Sequence, residues 1–254
     1  MHPMERPIHF KNEQGEKISG TLHLPGAGTD RGIVLTHCFT CSRHTGILRQ
    51  LGDDLAGAGF AALRFDFSGN GQSEGEFSQS TYTKQISETK IACAMLASRG
   101  VSRVGLAGHS MGAVVALLAS AKMKAARAVC TIAGRLSGMN ALRFLTGAQR
   151  NELDQAGRVA FTSRGRQLML THDFFSDADR FDLPTTITHL KIPLLIVHGD
   201  QDEIISVAEA HTAHGFNPDR SELAIVADAD HMFSNKNHRE EVSRQVVAWF
   251  ESRM

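Results

Sequence analysis

The run Gly108-His109-Ser110-Met111-Gly112 lies between a short apolar strand candidate, Arg103-Val104-Gly105-Leu106-Ala107, and an apolar helix candidate running from Ala113 to Met123. A Gly-x-Ser-x-Gly at a strand-to-helix junction predicts a nucleophile elbow, a sharp turn that pushes the Ser110 hydroxyl into the open. So tight a turn leaves no room for a side chain at 108 or 112, which accounts for both glycines. The same five residues in a plain Gly/Ser loop would carry no chemistry. It is the flanking strand and helix that give them meaning.

A serine hydroxyl is a weak nucleophile at neutral pH and needs a base, which in turn needs an orienting acid. Behind an elbow of this type the chain order is Ser, then Asp or Glu, then His. Lys191-Ile192-Pro193-Leu194-Leu195-Ile196-Val197 reads as a buried strand running into His198-Gly199-Asp200-Gln201-Asp202-Glu203. Glu222-Leu223-Ala224-Ile225-Val226 reads as another, leading into Asp228-Ala229-Asp230-His231. Each candidate follows the carboxyl end of a strand, where open α/β sheets place their ligands. The strand Ala128 to Ala133 ends in Gly134 and Arg135 with no carboxylate before Glu152, so it offers no acid. Of thirteen histidines, His211 and His214 fall on the helix after the acid loop and His238 opens the last helix. Among the histidines after the acid loop, His231 alone lies just beyond a strand end, so it is the candidate base. The residues by themselves leave Asp200 and Asp202 both open as the acid.

The chain resembles the α/β-hydrolases, in particular the serine aminopeptidase S33 and monoglyceride-lipase-like branch. Leu63-Arg64-Phe65-Asp66-Phe67-Ser68-Gly69-Asn70-Gly71-Gln72-Ser73 is similar to that family's Asp-x-x-Gly-x-Gly-x-Ser turn. His37-Cys38-Phe39-Thr40-Cys41-Ser42 resembles its His-Gly-Phe oxyanion loop, and its wording is particularly like the hydrolase half of bifunctional hydrolase/OsmC fusion proteins. An OsmC half is not expected after Met254. The spacing Gly199, Asp202, Ile205 resembles the family's acid loop, which favours Asp202 over Asp200. The resemblance implies a catalytic triad of Ser110, Asp202 and His231, with the backbone N–H groups of Phe39 and Met111 as oxyanion donors. It further implies a carboxylic ester hydrolase working through an acyl-enzyme, without metal or other cofactor. Thioester, peptide or amide hydrolysis, and perhydrolysis, would use the same triad. A non-catalytic binding protein on this fold would normally lack a triad member, and none is missing.

Cys38 stands where the family commonly has glycine, and His37-Cys38-x-x-Cys41-x-x-His44 has ligand-like spacing. Tetrahedral zinc there would twist the oxyanion donors away from Ser110, so neither a zinc site nor redox chemistry is expected. The four cysteines are expected as reduced thiols, with the Cys38 side chain near the nucleophile. Gly69-Asn70-Gly71-Gln72-Ser73-Glu74-Gly75 is no dinucleotide loop, because its third glycine falls one residue late for Gly-x-Gly-x-x-Gly.

Equal counts of acidic and basic residues, 27 each, provide no basic field for nucleic acid or an anionic membrane. The start, Met1 to Pro7, has neither the basic opening nor the apolar core of a secretory leader, and no apolar run is long enough to span a membrane. A cytoplasmic enzyme with a small-molecule ester as its partner is therefore expected, and nothing specifies its oligomeric state.

The remainder reads as the scaffold of one domain over residues 1–254, an open, mostly parallel sheet wrapped by helices. Ile8 to Phe10 and Ile18 to Leu24 form an antiparallel edge hairpin. Ile47, Leu51 and Leu55 mark a helix, Tyr82 to Arg99 another stopped by Gly100, and Val242, Val246 and Trp249-Phe250 the buried face of the last. Residues 136–190 do not read as sheet core and form a small cap over the nucleophile, with a hairpin around Ser163-Arg164-Gly165-Arg166. Leu142, Phe144 and Leu145 lie at helical spacing, and Phe174-Phe175 sits in a polar setting. These five line a substrate pocket or make the cap's own small core, and both readings stand.

Overall fold

The computed structural model describes residues 4–254, so the first three residues of the segment read for a leader lie outside the described residues. The chain opens with the hairpin β1 (Met4–Lys11) and β2 (Lys17–Leu24), followed by β3 (Arg31–Thr36), α1 (Gly46–Gly57) and β4 (Ala61–Phe65). Next come α2 (Tyr82–Ala97), β5 (Arg103–His109), α3 (Met111–Ala121) and β6 (Ala126–Ile132). The intervening cap holds α4 (Gly147–Ala156), β7 (Arg158–Ser163), β8 (Arg166–Thr171), α5 (His172–Ala178) and α6 (Leu183–Thr188). The chain closes with β9 (Leu194–Gly199), α7 (Ala208–Phe216), β10 (Ser221–Val226) and α8 (Lys236–Arg253).

Eight strands pair in the order β1-β2-β4-β3-β5-β6-β9-β10, with β1–β2 and β2–β4 antiparallel and every later pair parallel. Alternation along each strand feeds two cores. Val34, Leu106, Leu194 and Ile196 pack with α2, α3, α6 and α7, while Ile33, Leu35, Ala107, Leu195 and Val197 pack with α1 and α8. Helix α3 is buried at Met111 through Ser120, as its all-apolar sequence requires. Trp249 belongs to the second core and is 6% exposed, its indole N–H donating to Glu222 at 2.7 Å. Among the described residues no helix is long and apolar enough to cross a membrane.

This topology decides where chemistry can occur. The chain passes from β3 outward to β4 and then crosses back to β5 on the other side of β3. The loops leaving β3 and β5 therefore diverge, opening a crevice at the carboxyl ends of the two strands. The loop after β3 begins at His37, and Ser110 follows β5 directly. The helix after the acid loop begins only at Ala208. The Ile204 and Ile205 N–H groups donate instead to the Asp202 carboxylate at 2.9 and 2.7 Å, a turn that delays helix entry.

At the end of β9, a Cβ added to Gly199 would run into the backbone of Ala229, including its carbonyl carbon at 2.8 Å. The loop carrying His231 could accept it only by moving. Gly199→Ala should therefore destabilise the fold by about 1–3 kcal/mol, read as a lower urea midpoint at unchanged m. An unchanged midpoint would mean that the two loops are not in firm contact.

Candidate active site

Ser110 joins β5 to α3 with φ 57° and ψ −119°, a conformation that L residues avoid. A Cβ on Gly108 would strike the Gly112 carbonyl, and one on Gly112 would strike the backbone of Thr36 and His37. The turn is pinned from both sides: the Ser110 N–H donates to Ile132 O at 2.8 Å, and the Thr36 hydroxyl faces Gly112 O at 2.8 Å. Neighbouring strands β6 and β3 thus hold the strained residue in place.

His231 Nε2 lies 3.1 Å from Ser110 Oγ, and His231 Nδ1 lies 2.8 Å from Asp202 Oδ2. A carboxylate only accepts, so Nδ1 carries the imidazole proton and Nε2 presents its lone pair to the serine hydroxyl. Asp200 does not take part. It is exposed and accepts the Asp228 N–H at 2.8 Å, tying the β9 and β10 loops together.

The Asp202 side chain is fully buried. Burial by itself would raise its pKa, but the hydrogen bonds from His198 and His231 and the Ile205 N–H outweigh it and hold the carboxyl well below its usual range. It therefore stays ionised beside the imidazole. Two histidines with no role assigned from sequence support this arrangement. His198 Nε2 lies 2.8 Å from Ile205 O and 3.1 Å from Asp202 Oδ2, donating to both from one N–H. His109 Nε2 donates to the His231 carbonyl at 2.8 Å, and burial, followed by the neighbouring His231, pushes His109 down to about 4. Neutral at pH 7, His109 anchors the His231 backbone without adding a charge.

The loop after β3 supplies the second half of the site. His37 Nε2 accepts the Phe67 N–H at 3.0 Å, so His37 Nδ1 bears the proton and donates to Cys38 O at 2.7 Å. That carbonyl shares its peptide plane with the Phe39 N–H, so His37 fixes the direction in which the N–H points. Among the described residues, the Phe39 and Met111 N–H groups make no protein hydrogen bond. Both therefore remain free to bind an oxyanion. The expectation of four reduced thiols fails here: Cys38 and Cys41 form a disulfide, and only Cys93 and Cys130 are free. The turn closed by the Cys41 N–H to Cys38 O bond brings the two Cα atoms to 5.3 Å, within disulfide reach. The glycine-rich turn at 69–75 proves to be a brace for this loop, since Asp66 accepts from the Gln72 N–H, the Arg43 N–H and the Arg43 guanidinium.

Ser110 and Met111 open into a cavity of about 320 Å³ between the sheet and the cap. Phe144, Leu145, Phe174 and Phe175 line it, and Phe39, Phe161 and Tyr82 complete an aromatic wall. Phe174 and Phe175 are also buried in the cap's own core with Leu153 and Val159, so the pair lines the cavity and packs the cap at once. Leu142 is a correction. It lies on a four-residue 3-10 turn, Ala141–Phe144, which rotates it off the wall and leaves it 39% exposed. Among the described residues, Arg135 is the one charged residue on the wall, held by Glu209 at 2.7 Å. Nothing in its sequence context marked it, since it followed a strand noted only for lacking a carboxylate.

If this hydrogen-bonded chain activates Ser110, Asp202→Asn should slow labelling of Ser110 by a fluorophosphonate by about 10³ to 10⁴, because the asparagine amide favours the wrong imidazole tautomer. Asp200→Asn should label within a few-fold of wild type. The reverse ranking would show that Asp202 does not orient the base.

The alpha/beta hydrolase family matches residues 22–245. Among solved structures, the esterase domain of a Rhodothermus marinus protein superposes with a TM-score of 0.77 at 23% identity over 97% of each chain. Est1E from Butyrivibrio proteoclasticus with ferulic acid bound gives 0.83 at 22% identity, over 97% of this chain and 98% of that one. Alpha/beta hydrolase domain-containing protein 10 from mouse gives 0.79 at 18% identity, over 97% and 99%. No curated protein matches the sequence. At such identities the structural likeness concerns the fold alone, whereas the family match spans nearly the whole sequence. The chain belongs to the alpha/beta hydrolase family.

Proposed function

We propose that the protein is a carboxylic ester hydrolase acting on small to medium esters through an acyl-enzyme on Ser110. The observation that carries this reading is the unbroken chain Asp202–His231–Ser110, with 2.8 and 3.1 Å links, ending in a cavity whose wall is apolar apart from a few groups. His231 Nε2 takes the Ser110 proton as Oγ attacks the ester carbonyl. Asp202 stabilises the imidazolium, and the Phe39 and Met111 N–H groups receive the oxyanion. His231 then returns the proton to the departing alcohol. Water repeats the sequence on the acyl-enzyme and releases the acid. Side chains and backbone of this chain serve every step, and no cofactor enters.

The cavity, about 320 Å³, lies at the lower end of ligand pockets, which supports small or medium acyl or aryl groups over long lipid chains. The names of two structural neighbours, an esterase domain and a ferulic-acid-bound Est1E, support an ester substrate class. The wording of the loops at His37–Ser42 and Asp66–Ser73 supports a place in the S33 and monoglyceride-lipase-like branch.

A panel of p-nitrophenyl esters of rising acyl length should show turnover peaking at short to medium chains. Ser110→Ala should lower kcat by about 10⁴ or more with the fold intact, and should abolish fluorophosphonate labelling. Labelling that persists in Ser110→Ala would remove the proposed nucleophile. Hydrolysis confined to thioesters or amides would reassign the substrate class.

A further inference from the structure

We propose that Cys38–Cys41 is a redox-active disulfide that exchanges with a small anionic thiol bound in a second, arginine-lined cavity, and that its reduction loosens the oxyanion loop. The exchange stands on its own geometry. Its effect on turnover rests on the ester-hydrolase reading.

The bridge does not serve general stability. It closes a loop of sequence separation 3, and a cross-link that short removes little entropy from the unfolded chain. Its effect is local. Inside the loop, Phe39 offers the oxyanion N–H, and its ring stacks on Phe161 of the cap at 5.8 Å and 9°. Thr40 meets the tip of the cap hairpin twice, through its hydroxyl to Ser163 Oγ at 2.8 Å and through its carbonyl to Arg166 at 3.2 Å. The disulfide therefore stiffens the segment that joins the Phe39 donor to the cap hairpin. After reduction the loop would keep its turn hydrogen bond and the His37 contact, so it would loosen without collapsing.

Cys41 forms part of the wall of a cavity of about 310 Å³, together with Ser42, His44, Arg164 and Arg166. None of the residues lining it is acidic. Burial, with Arg43 and Arg64 next, lowers the pKa of His44, so the positive field comes from the two arginines. A guanidinium pair favours a carboxylate-bearing thiol and stabilises its thiolate. The volume suits a thiol the size of a short peptide.

The chemistry balances without any further reactant. The bound thiolate attacks Cys41 Sγ; a new S–S bond forms, the Cys38–Cys41 bond breaks, and the electron pair leaves on Cys38, which takes up a proton. A second thiolate attacks the small-molecule sulfur of the mixed disulfide, expelling Cys41 as a thiolate, which is protonated in turn. Two thiols are oxidised to one disulfide, and the protein disulfide is reduced to two thiols. Cys93 and Cys130 stay out of the exchange: neither lines this cavity, and burial pushes both thiols up, Cys93 to about 12.

The test exposes the oxidised full-length protein to glutathione, 2-mercaptoethanol or cysteamine, each rate normalised to that reagent's thiolate fraction, with acid quench and mass spectrometry. Anionic glutathione should exceed cationic cysteamine about tenfold or more, the advantage falling with added salt. Arg164→Gln with Arg166→Gln should erase that advantage and leave 2-mercaptoethanol unaffected. Cys38→Ser should trap a glutathione adduct on Cys41 when treated with oxidised glutathione. Reduction of wild type should lower kcat on a p-nitrophenyl ester about tenfold, less than outright loss of an oxyanion donor would cost. The variant Cys38→Ser with Cys41→Ser should match the reduced form and ignore thiols. Equal normalised rates for all three thiols, or a disulfide inert to all of them, overturns the site. Selective exchange at unchanged kcat overturns the link to the oxyanion loop. Should the protein hydrolyse no ester, the mass measurements still decide the exchange.

Discussion

The geometry of this protein depends on one strained residue. Ser110 occupies a positive-φ turn at the exit of β5, and it can do so only because Gly108, Gly112 and the carboxyl end of β3 share a space that admits no further Cβ. That crowding brings the start of α3 beside the loop at His37. The same contact that forces the serine outward also sets its neighbouring N–H near that of Phe39. A strained backbone persists only where its surroundings over-determine it. Here they do so through Ile132 on one side and Thr36 on the other.

Histidines carry much of the remaining positioning. His37 orients the Cys38–Phe39 peptide, His109 holds the backbone of His231, and His198 shares the Asp202 carboxylate with His231. Each acts from a buried position at or just beyond a strand end, where a rigid sheet limits its freedom. The division of labour between the two aspartates follows the same logic. Asp202 is enclosed and saturated with donors, while Asp200, two residues earlier, faces solvent and staples two loops.

Much of this was legible in the sequence. The strands β3, β5, β9 and β10 are short, largely apolar runs; Ser110 follows β5 directly, and His231 lies in the loop after β10. Asp200 and Asp202 could not be separated by composition or period, because they leave the same strand; the turn bonds to Ile204 and Ile205 decide between them. The disulfide was hidden for a different reason. A Cys-x-x-Cys spacing suits zinc, a dithiol or a bridge equally, and only the turn at Cys38–Cys41 selects. Leu142 misled because a helical period was read across a single 3-10 turn. The roles of His109 and His198 left no signal, since the carbonyls that hold their rings, those of His231 and Ile205, follow no periodicity.

Central to the proposed chemistry is one site for a tetrahedral oxyanion, formed jointly by the Ser110 elbow and the Cys38–Cys41 loop. A crystal structure of the protein after reaction with a small alkyl phosphonate measures this directly. Phosphorus should be bonded to Ser110 Oγ, with the phosphoryl oxygen accepting from both the Phe39 and Met111 N–H groups at about 2.7–3.1 Å and the alkyl group in the aromatic cavity. A phosphoryl oxygen turned away from both donors, or phosphorus on any other residue, would contradict it.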